Sequence, residues 1–376
     1  MAFTYFDGIL EYSRKANCGL YLPVKTAIFA NRDNVRFTPK GKKLMVRQYS
    51  AGTAGNYSKQ NGWMKDYGVG QGLEWKEYEA QRDRAKILRV DAMEEQQSYA
   101  AGMTPSIQLL MEDFMDASMP AEIDANNIQR WYQGIPSANV HESDDAGYGI
   151  GINNILETIN GLEMEIFDSG YEGKSVLFIS SKAYKNMRSA IISKLGLVNP
   201  NVLEKTKVDF FVDTGLSALD SKLDDKLKVS IDVEVYGRFY VIPMPSNRMY
   251  GEIDFLSGDP DDASEAQRAG GYVKHSGADD IYLLAMPLDS GFTSIRYQMA
   301  NLLFPAYVET GIDEIKLRAM NQQMFGNFEI LSIGANQKSC SYEGDIRVFY
   351  DGYLYNNRAR NCFAVIAGDA DDPSAD

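Results

Sequence analysis

Residues 81–96, QRDRAKILRVDAMEEQ, place Arg82, Asp83, Arg84, Lys86, Arg89, Asp91, Glu94 and Glu95 within a short span that also holds Ile87, Leu88 and Val90. Three kinds of work fit such a stretch. Asp83 and Asp91 could act as paired carboxylates in acid–base catalysis. The cations could line a nucleic-acid groove. The whole could equally be the charged flank of a long strand entering a helix, where Arg and Asp pair with neighbouring chains. Other groups that could do chemistry are sparse. The two histidines, His141 and His275, lie in polar stretches containing Gly and Asp that read as loops, and neither is assigned a role. No Gly-x-Ser-x-Gly elbow and no complete phosphate-loop spacing occurs. GYGIGINNILETI (147–159) sets glycines before a helix but lacks the third glycine of the dinucleotide spacing. SGDPDDASEAQ (257–267) is acidic without the alternating oxygen ligands of a calcium loop, so it reads as a solvated insertion. Cys18, Cys340 and Cys362 are odd in number and far apart, which fits buried free thiols in a reducing compartment. No cofactor or metal is expected.

Composition bounds the rest. A chain of 376 residues, 44% hydrophobic, can bury a real core and is long enough for two or three compact units. Its net charge of −14 argues against sequence-independent DNA binding, which needs a dense cationic face. No run reaches the length of a membrane span, and MAFTYFDGILEYSRK lacks the basic leader and clean apolar stretch of a signal peptide.

The elements that must position these residues follow an unusual order. Residues 1–29 read as an arm. KKLMVRQYS (42–50) alternates as a strand, and residues 51–72 form a glycine-rich loop that carries Tyr57, Trp63, Met64 and Tyr67. EWKEYEAQRDRAKILRVD (74–91) reads as one long return strand, so 30–91 becomes an extended two-stranded ribbon. Isolated hairpins are marginal in water, which means that the ribbon needs a partner. Thr104 and Pro105 open a helix with an apolar stripe at Ile107, Leu110, Met111, Phe114 and Met115, and a second helix starts near Pro120 with Ile123, Ile128 and Trp131 inward. Residues 141–300 alternate helices and strands: a helix over 153–170, a buried strand at Val176–Ile179 leading into a helix, two strands divided near Gly237, and an apolar strand at 279–287. A polar insertion covers 251–278. Residues 325–367 are strands and turns returning to the first region.

This order resembles the major capsid protein of tailed bacteriophages, a fold shared with encapsulins. RDRAKILRVDAMEEQ is similar to that family's Asp-Arg-small, apolar, Ile/Val-Asp, Met-Asp/Glu signature, met by Asp83, Arg84, Ala85, Val90, Asp91, Met93 and Glu94. PAEIDANNIQRW resembles its Pro-Glu-Ile-Asp-aromatic run through Glu122, Ile123 and Asp124, with Ala121 inserted after Pro120 and Asn126 where an aromatic is usual. VLFISSKAY, YVIPMPSNRMY (240–250) and LLFPAYVETG (302–311) resemble further segments, while the insertion and 288–301 diverge.

The resemblance implies an α+β fold: an N-terminal arm (1–29), an extended β-hairpin loop (30–91), a spine helix opening a peripheral domain (92–140), an α/β axial domain (141–300), and a return to the peripheral domain with the C-terminal strands (301–376). It implies a non-enzymatic subunit that pairs with itself in hexamers and pentamers of an icosahedral virion shell, assembled in the host cytoplasm. A scaffolding protein and a portal protein are implied partners, with double-stranded DNA enclosed without sequence-specific binding. Tyr57, Trp63, Met64, Tyr67, Arg82, Asp83, Arg84, Asp91 and Glu94 are then expected at subunit interfaces. An encapsulin-like compartment, or an enzyme with a lid at 51–72, are the alternatives.

Overall fold

The computed structural model describes residues 24–29, 35–37, 43–49, 73–79, 82–91, 119–195, 203–213, 226–256, 271–305, 323–325, 328–330, 333–336 and 341–368. The helix expected at 104–118 lies outside them, as do Tyr57, Trp63, Met64, Tyr67 and Glu94.

The first sheet is the expected ribbon, with a third strand added. β2 (Lys43–Tyr49) runs antiparallel to β3 (Leu73–Glu79), from Lys43 opposite Glu79 to Tyr49 opposite Leu73. β1 (Val35–Phe37) pairs with the other edge of β2, Val35 opposite Val46. The stretch 74–91 is not one strand. It divides into β3 and β4 (Arg82–Asp91), and β4 joins a different sheet. Ala80 and Gln81 carry no breaking signal, so the sequence hid the division.

Next comes α1 (Met119–Gln133), with Pro120 in the first turn, where its missing N–H costs nothing. Ile123, Ile128 and Trp131 are fully buried, as the spacing predicts. The short strand β5 (Val140–Glu142) leads to α2 (Ile155–Asp168), which buries Ile155, Ile159, Leu162 and Ile166 along one stripe. β6 (Ser175–Ser180) runs straight into α3 (Ser181–Leu195). β7 (Glu204–Asp213) and β8 (Lys226–Tyr236) form a long hairpin, and β8 turns through Gly237 and Arg238 into β9 (Phe239–Met244). Gly237 has φ +57°, the left-handed conformation such a two-residue turn requires.

β10 (Ile253–Phe255) and β11 (Tyr272–Lys274) flank the expected insertion and pair with each other. Ile253 and Tyr272 are buried against Ala121 and Ala125 of α1. The borders of 251–278 are therefore packed, and the solvated insertion expected at 257–267 lies outside the described residues. β12 (Ile281–Pro287) is buried throughout, as its apolar run predicts, and β13 (Gly291–Pro305) follows. After β14 (Gln323–Phe325), β15 (Phe328–Ile330) and β16 (Ile333–Asn336) come the long β17 (Ser341–Leu354) and β18 (Phe363–Ile366).

Two larger sheets result. One has the order β5-β18-β12-β6-β9-β8-β7. Because side chains alternate along a strand, Leu177, Ile179, Leu283 and Ala285 face α2 and α3. Val176, Phe178, Leu284 and Met286 face the opposite way, onto Ile128 and Trp131 of α1 and onto Ile28 and Phe29. The other sheet runs β14-β15-β13-β17-β4, with β16 also on β13. Here β17 reaches back to β4, Ser341 opposite Asp91 and Tyr350 opposite Arg82, which is the return to the first region expected of 325–367. The sheets divide the chain differently from a boundary at 300. β13 crosses that position unbroken, and β18 sits in the first of these two sheets between β5 and β12. The architecture is α+β.

Candidate functional site

The charged strand β4 uses its alternation to face two ways. Arg82 and Arg84 reach α1: Arg82 Nε donates to Asn126 Oδ1 at 3.0 Å, and Arg84 Nε lies 2.8 Å from Glu122 Oε1. The Arg82 guanidinium also sits 4.0 Å over the Phe255 ring, and burial lowers its pKa. Arg84 Nη2 donates to the Leu256 carbonyl at 3.0 Å, tying β4 to the β10–β11 hairpin. Asp83 is exposed and pairs with Arg347 of β17 at 3.2 Å. The partner strand of β4 is β17, and Arg82, Asp83 and Arg84 meet groups of their own chain. Asp83 and Asp91 stand opposite Phe349 and Ser341, eight ladder steps apart, roughly 26 Å at ~3.3 Å per residue. They cannot share a proton or a substrate atom, and the paired-carboxylate reading fails on distance.

What the strand reaches is a polar hub on α1 that the sequence did not single out as a site. Glu122 is 3% exposed; Arg84 holds it on one side and Tyr350 Oη donates to its Oε1 at 2.5 Å on the other. Burial raises the pKa of Glu122 against the pull of these partners, and burial beside Glu122 holds the Tyr350 phenol well above its ordinary range. Asp124 is fully buried and accepts from four donors. They are the Thr26 amide at 2.9 Å, the Thr26 hydroxyl at 2.9 Å, the Lys25 amide at 3.3 Å and Arg248 Nη1 at 2.8 Å. Burial raises its pKa too, with those donors opposing. Asn127 Nδ2 donates to Thr26 Oγ1 at 2.9 Å and to Thr293 Oγ1 at 2.5 Å. Arg130 faces Asp351 at 3.4 Å.

One helix thus holds segment 24–29, both larger sheets and the hairpin through side chains. The Glu122 and Asp124 carboxylates are both taken up by groups of this chain, an arrangement that fastens elements together. Among the described residues no three His, Cys, Asp or Glu side chains are grouped to hold a metal ion. The sequence did carry a signal for this hub. MPAEIDANNIQRWYQ has too few apolar residues for an amphipathic stripe, and Ala121 and Ala125 at i, i+4 permit close approach.

The remaining candidates resolve individually. His141 is in β5, not a loop: its ring stacks on Tyr148 at 3.8 Å and 9°, and Nε2 lies 3.3 Å from Glu165 Oε2. Tyr148 donates to the other oxygen of Glu165. His275 follows β11, and its bond to Asp254 at 2.8 Å raises its pKa. After the glycines at 147–151, the Ile155 and Glu157 amides at the start of α2 are bonded to the Gly151 and Asn154 carbonyls. Cys362 is a buried free thiol whose pKa burial pushes up to about 12; Cys18 and Cys340 lie outside the described residues.

No family model matches the sequence, and no curated protein sequence does. Among solved structures, the mature capsid of bacteriophage PhiM1 aligns over 88% of this chain and 83% of its own, at 8% identity and a TM-score of 0.43. The capsid of Cyanophage P-SCSP1u aligns over 89% and 85%, at 8% identity and a TM-score of 0.42. A virus-like particle from Pyrococcus furiosus aligns over 96% and 99%, at 8% identity and a TM-score of 0.37. No helix among the described residues is long and apolar enough to cross a membrane.

Proposed function

We propose that this chain is the major capsid protein of a tailed bacteriophage, assembling as pentamers and hexamers of an icosahedral shell. The observation that carries the reading is the ribbon β1–β3, which shares no strand pairing with either larger sheet among the described residues. A small sheet of three to seven residues per strand needs an apolar face packed on something to be stable, and we infer that a second surface covers it. A neighbouring copy is the natural cover, with Tyr57, Trp63, Met64 and Tyr67 of the connecting loop as apolar contacts. The motif resemblance through Asp83–Glu94 and Glu122–Asp124 supports the same reading. In its terms Arg82, Asp83, Arg84 and Asp91 set the base from which the ribbon projects. A net charge of −14 suits a shell that encloses DNA without gripping it, and assembly with a scaffolding protein and around a portal completes the proposal.

The test shortens the ribbon. Replacing 51–71 by a two-residue Asn-Gly turn keeps a hairpin geometry that suits ribbon twist. The expected product is a folded subunit, by circular dichroism and thermal melting, that sediments without closing shells. Normal shells from the shortened chain would overturn the reading.

A further inference from the structure

Segment Lys25–Phe29 is held on α1 in a manner that separates it from ordinary core packing. Thr26 and Lys25 present backbone amides to the Asp124 carboxylate, and the Thr26 hydroxyl donates to Asp124 while accepting from Asn127. Lys25 Nζ donates to the Pro243 carbonyl at the end of β9. Phe29 then fills a hole between Trp131, 4.9 Å away, and Phe178, 6.1 Å away, with Ile28 beside it. Val24, Thr26, Ala27, Ile28 and Phe29 are all buried. The ribbon that follows it pairs with neither larger sheet, and its last strand joins β4 through residues 80 and 81.

We propose that Val24–Phe29 is a latch, seated in a socket made by Asp124, Asn127, Trp131, Phe178 and Arg248, that fixes the direction in which the ribbon leaves the body. Along the chain the latch precedes β1 and β4 follows β3, so the ribbon is tied to the body from both of its ends. With both in place its base is held at two points. With the latch out, chain connectivity ties the ribbon to the body through β4. The socket reads main-chain amides and one hydroxyl, so releasing the latch breaks three bonds to one carboxylate while leaving the sheets paired. The consequence for assembly rests on the shell-forming reading, since a pivoting ribbon would meet its neighbour at varied angles.

Two measurements on the unassembled full-length chain test the latch independently of shell formation. Asp124→Asn keeps the shape but sets an N–H₂ among donors. Losing a buried acceptor costs about 1–3 kcal/mol, so amide exchange at Lys25 and Thr26 should accelerate roughly ten-fold or more. Exchange within β6 and β12 should rise less, by the global loss of stability alone. Spin labels on Glu77→Cys in β3 and Glu172→Cys before β6, with Cys18 and Cys340 replaced by serine, should give one narrow distance distribution with Asp124 present and a broad one with Asp124→Asn. Thr26→Val, which removes one hydroxyl, gives the same two readings in milder form if Asp124→Asn does not fold. Equal distance widths with and without the substitution would overturn the latch. So would exchange rising equally in β6 and β12, because the segment would then be an inseparable part of the core.

Discussion

Helix α1 and strands β6 and β12 are buried to a similar degree and are built on opposite principles. β6 and β12 place Val176, Phe178, Leu284 and Met286 against α1 and Leu177, Ile179, Leu283 and Ala285 against α2 and α3, so they are held by shape and apolar area. α1 buries Glu122, Asp124, Asn126, Asn127 and Gln129 alongside Ile123, Ile128 and Trp131. Glu122 and Asp124 are held by matched donors, and Asn126 and Asn127 are each bonded through one end of the amide. The first region should tolerate changes of shape that preserve volume and resist polar change. The second should tolerate little change of charge or hydrogen bonding, whatever the shape. The difference separates a filler from a fastener.

The largest effect comes from exchanging these rules. Asp124→Asn is nearly isosteric, yet it takes a buried carboxylate away from the half-buried Arg248 guanidinium and the Thr26 and Lys25 donors, and leaving such donors unmatched costs about 1–3 kcal/mol, more where a charge is involved. Leu284→Ile, equally conservative, conserves volume in an apolar strand and should cost less than about 1.5 kcal/mol. Urea unfolding followed by circular dichroism gives both numbers. Equal costs would erase the distinction between the two regions.

That contrast also explains how much could be read beforehand. The strands at 175–180 and 281–287 and the helix at 155–168 were legible, because continuous apolar runs and a 3.6-residue stripe are local signals. The return of 341–354 to the charged strand was legible as a tendency, and its register was not. Register depends on which edge is free in three dimensions, and no local residue encodes it. The division at 80–81 was hidden because Ala80 and Gln81 break nothing. Burial of Asp124 was hidden because a carboxylate is normally solvated; its four donors come from residues about one hundred positions away on each side. The ladder distance that separates Asp83 from Asp91 settled a question that spacing along the chain left open.

The alkaline limit of stability comes next in size. The Cys362 thiol, ordinarily near 9, is held up to about 12 by burial, and Tyr350 is held well above 10 beside Glu122. Both groups keep their protons in the folded state at pH values where the unfolded chain has lost them. Their contribution is complete below pH 9 and disappears as pH rises toward 12. Thermal midpoints measured from pH 8 to 11 should fall steadily above 9, and less steeply in Cys362→Ala. A flat profile through pH 11 would contradict the burial of these groups.

The smallest effect belongs to the exposed pair. Asp83 and Arg347 are 3.2 Å apart in solvent, where such pairs contribute about 0.2–1 kcal/mol and are screened by salt. Asp83→Asn should shift the urea midpoint slightly at low salt and not at all at 1 M. A loss comparable with Asp124→Asn would move Asp83 from the surface into the hub.

The most direct test of the proposed function is electron microscopy of the purified full-length chain, beside sedimentation velocity on the same preparation. A subunit whose ribbon is covered by a neighbour should appear as closed shells, or as rings of five and six, with sedimentation far above that of a 42.0 kDa monomer. A single monomeric species at every concentration and salt condition, with no rings or shells in the images, would contradict the account.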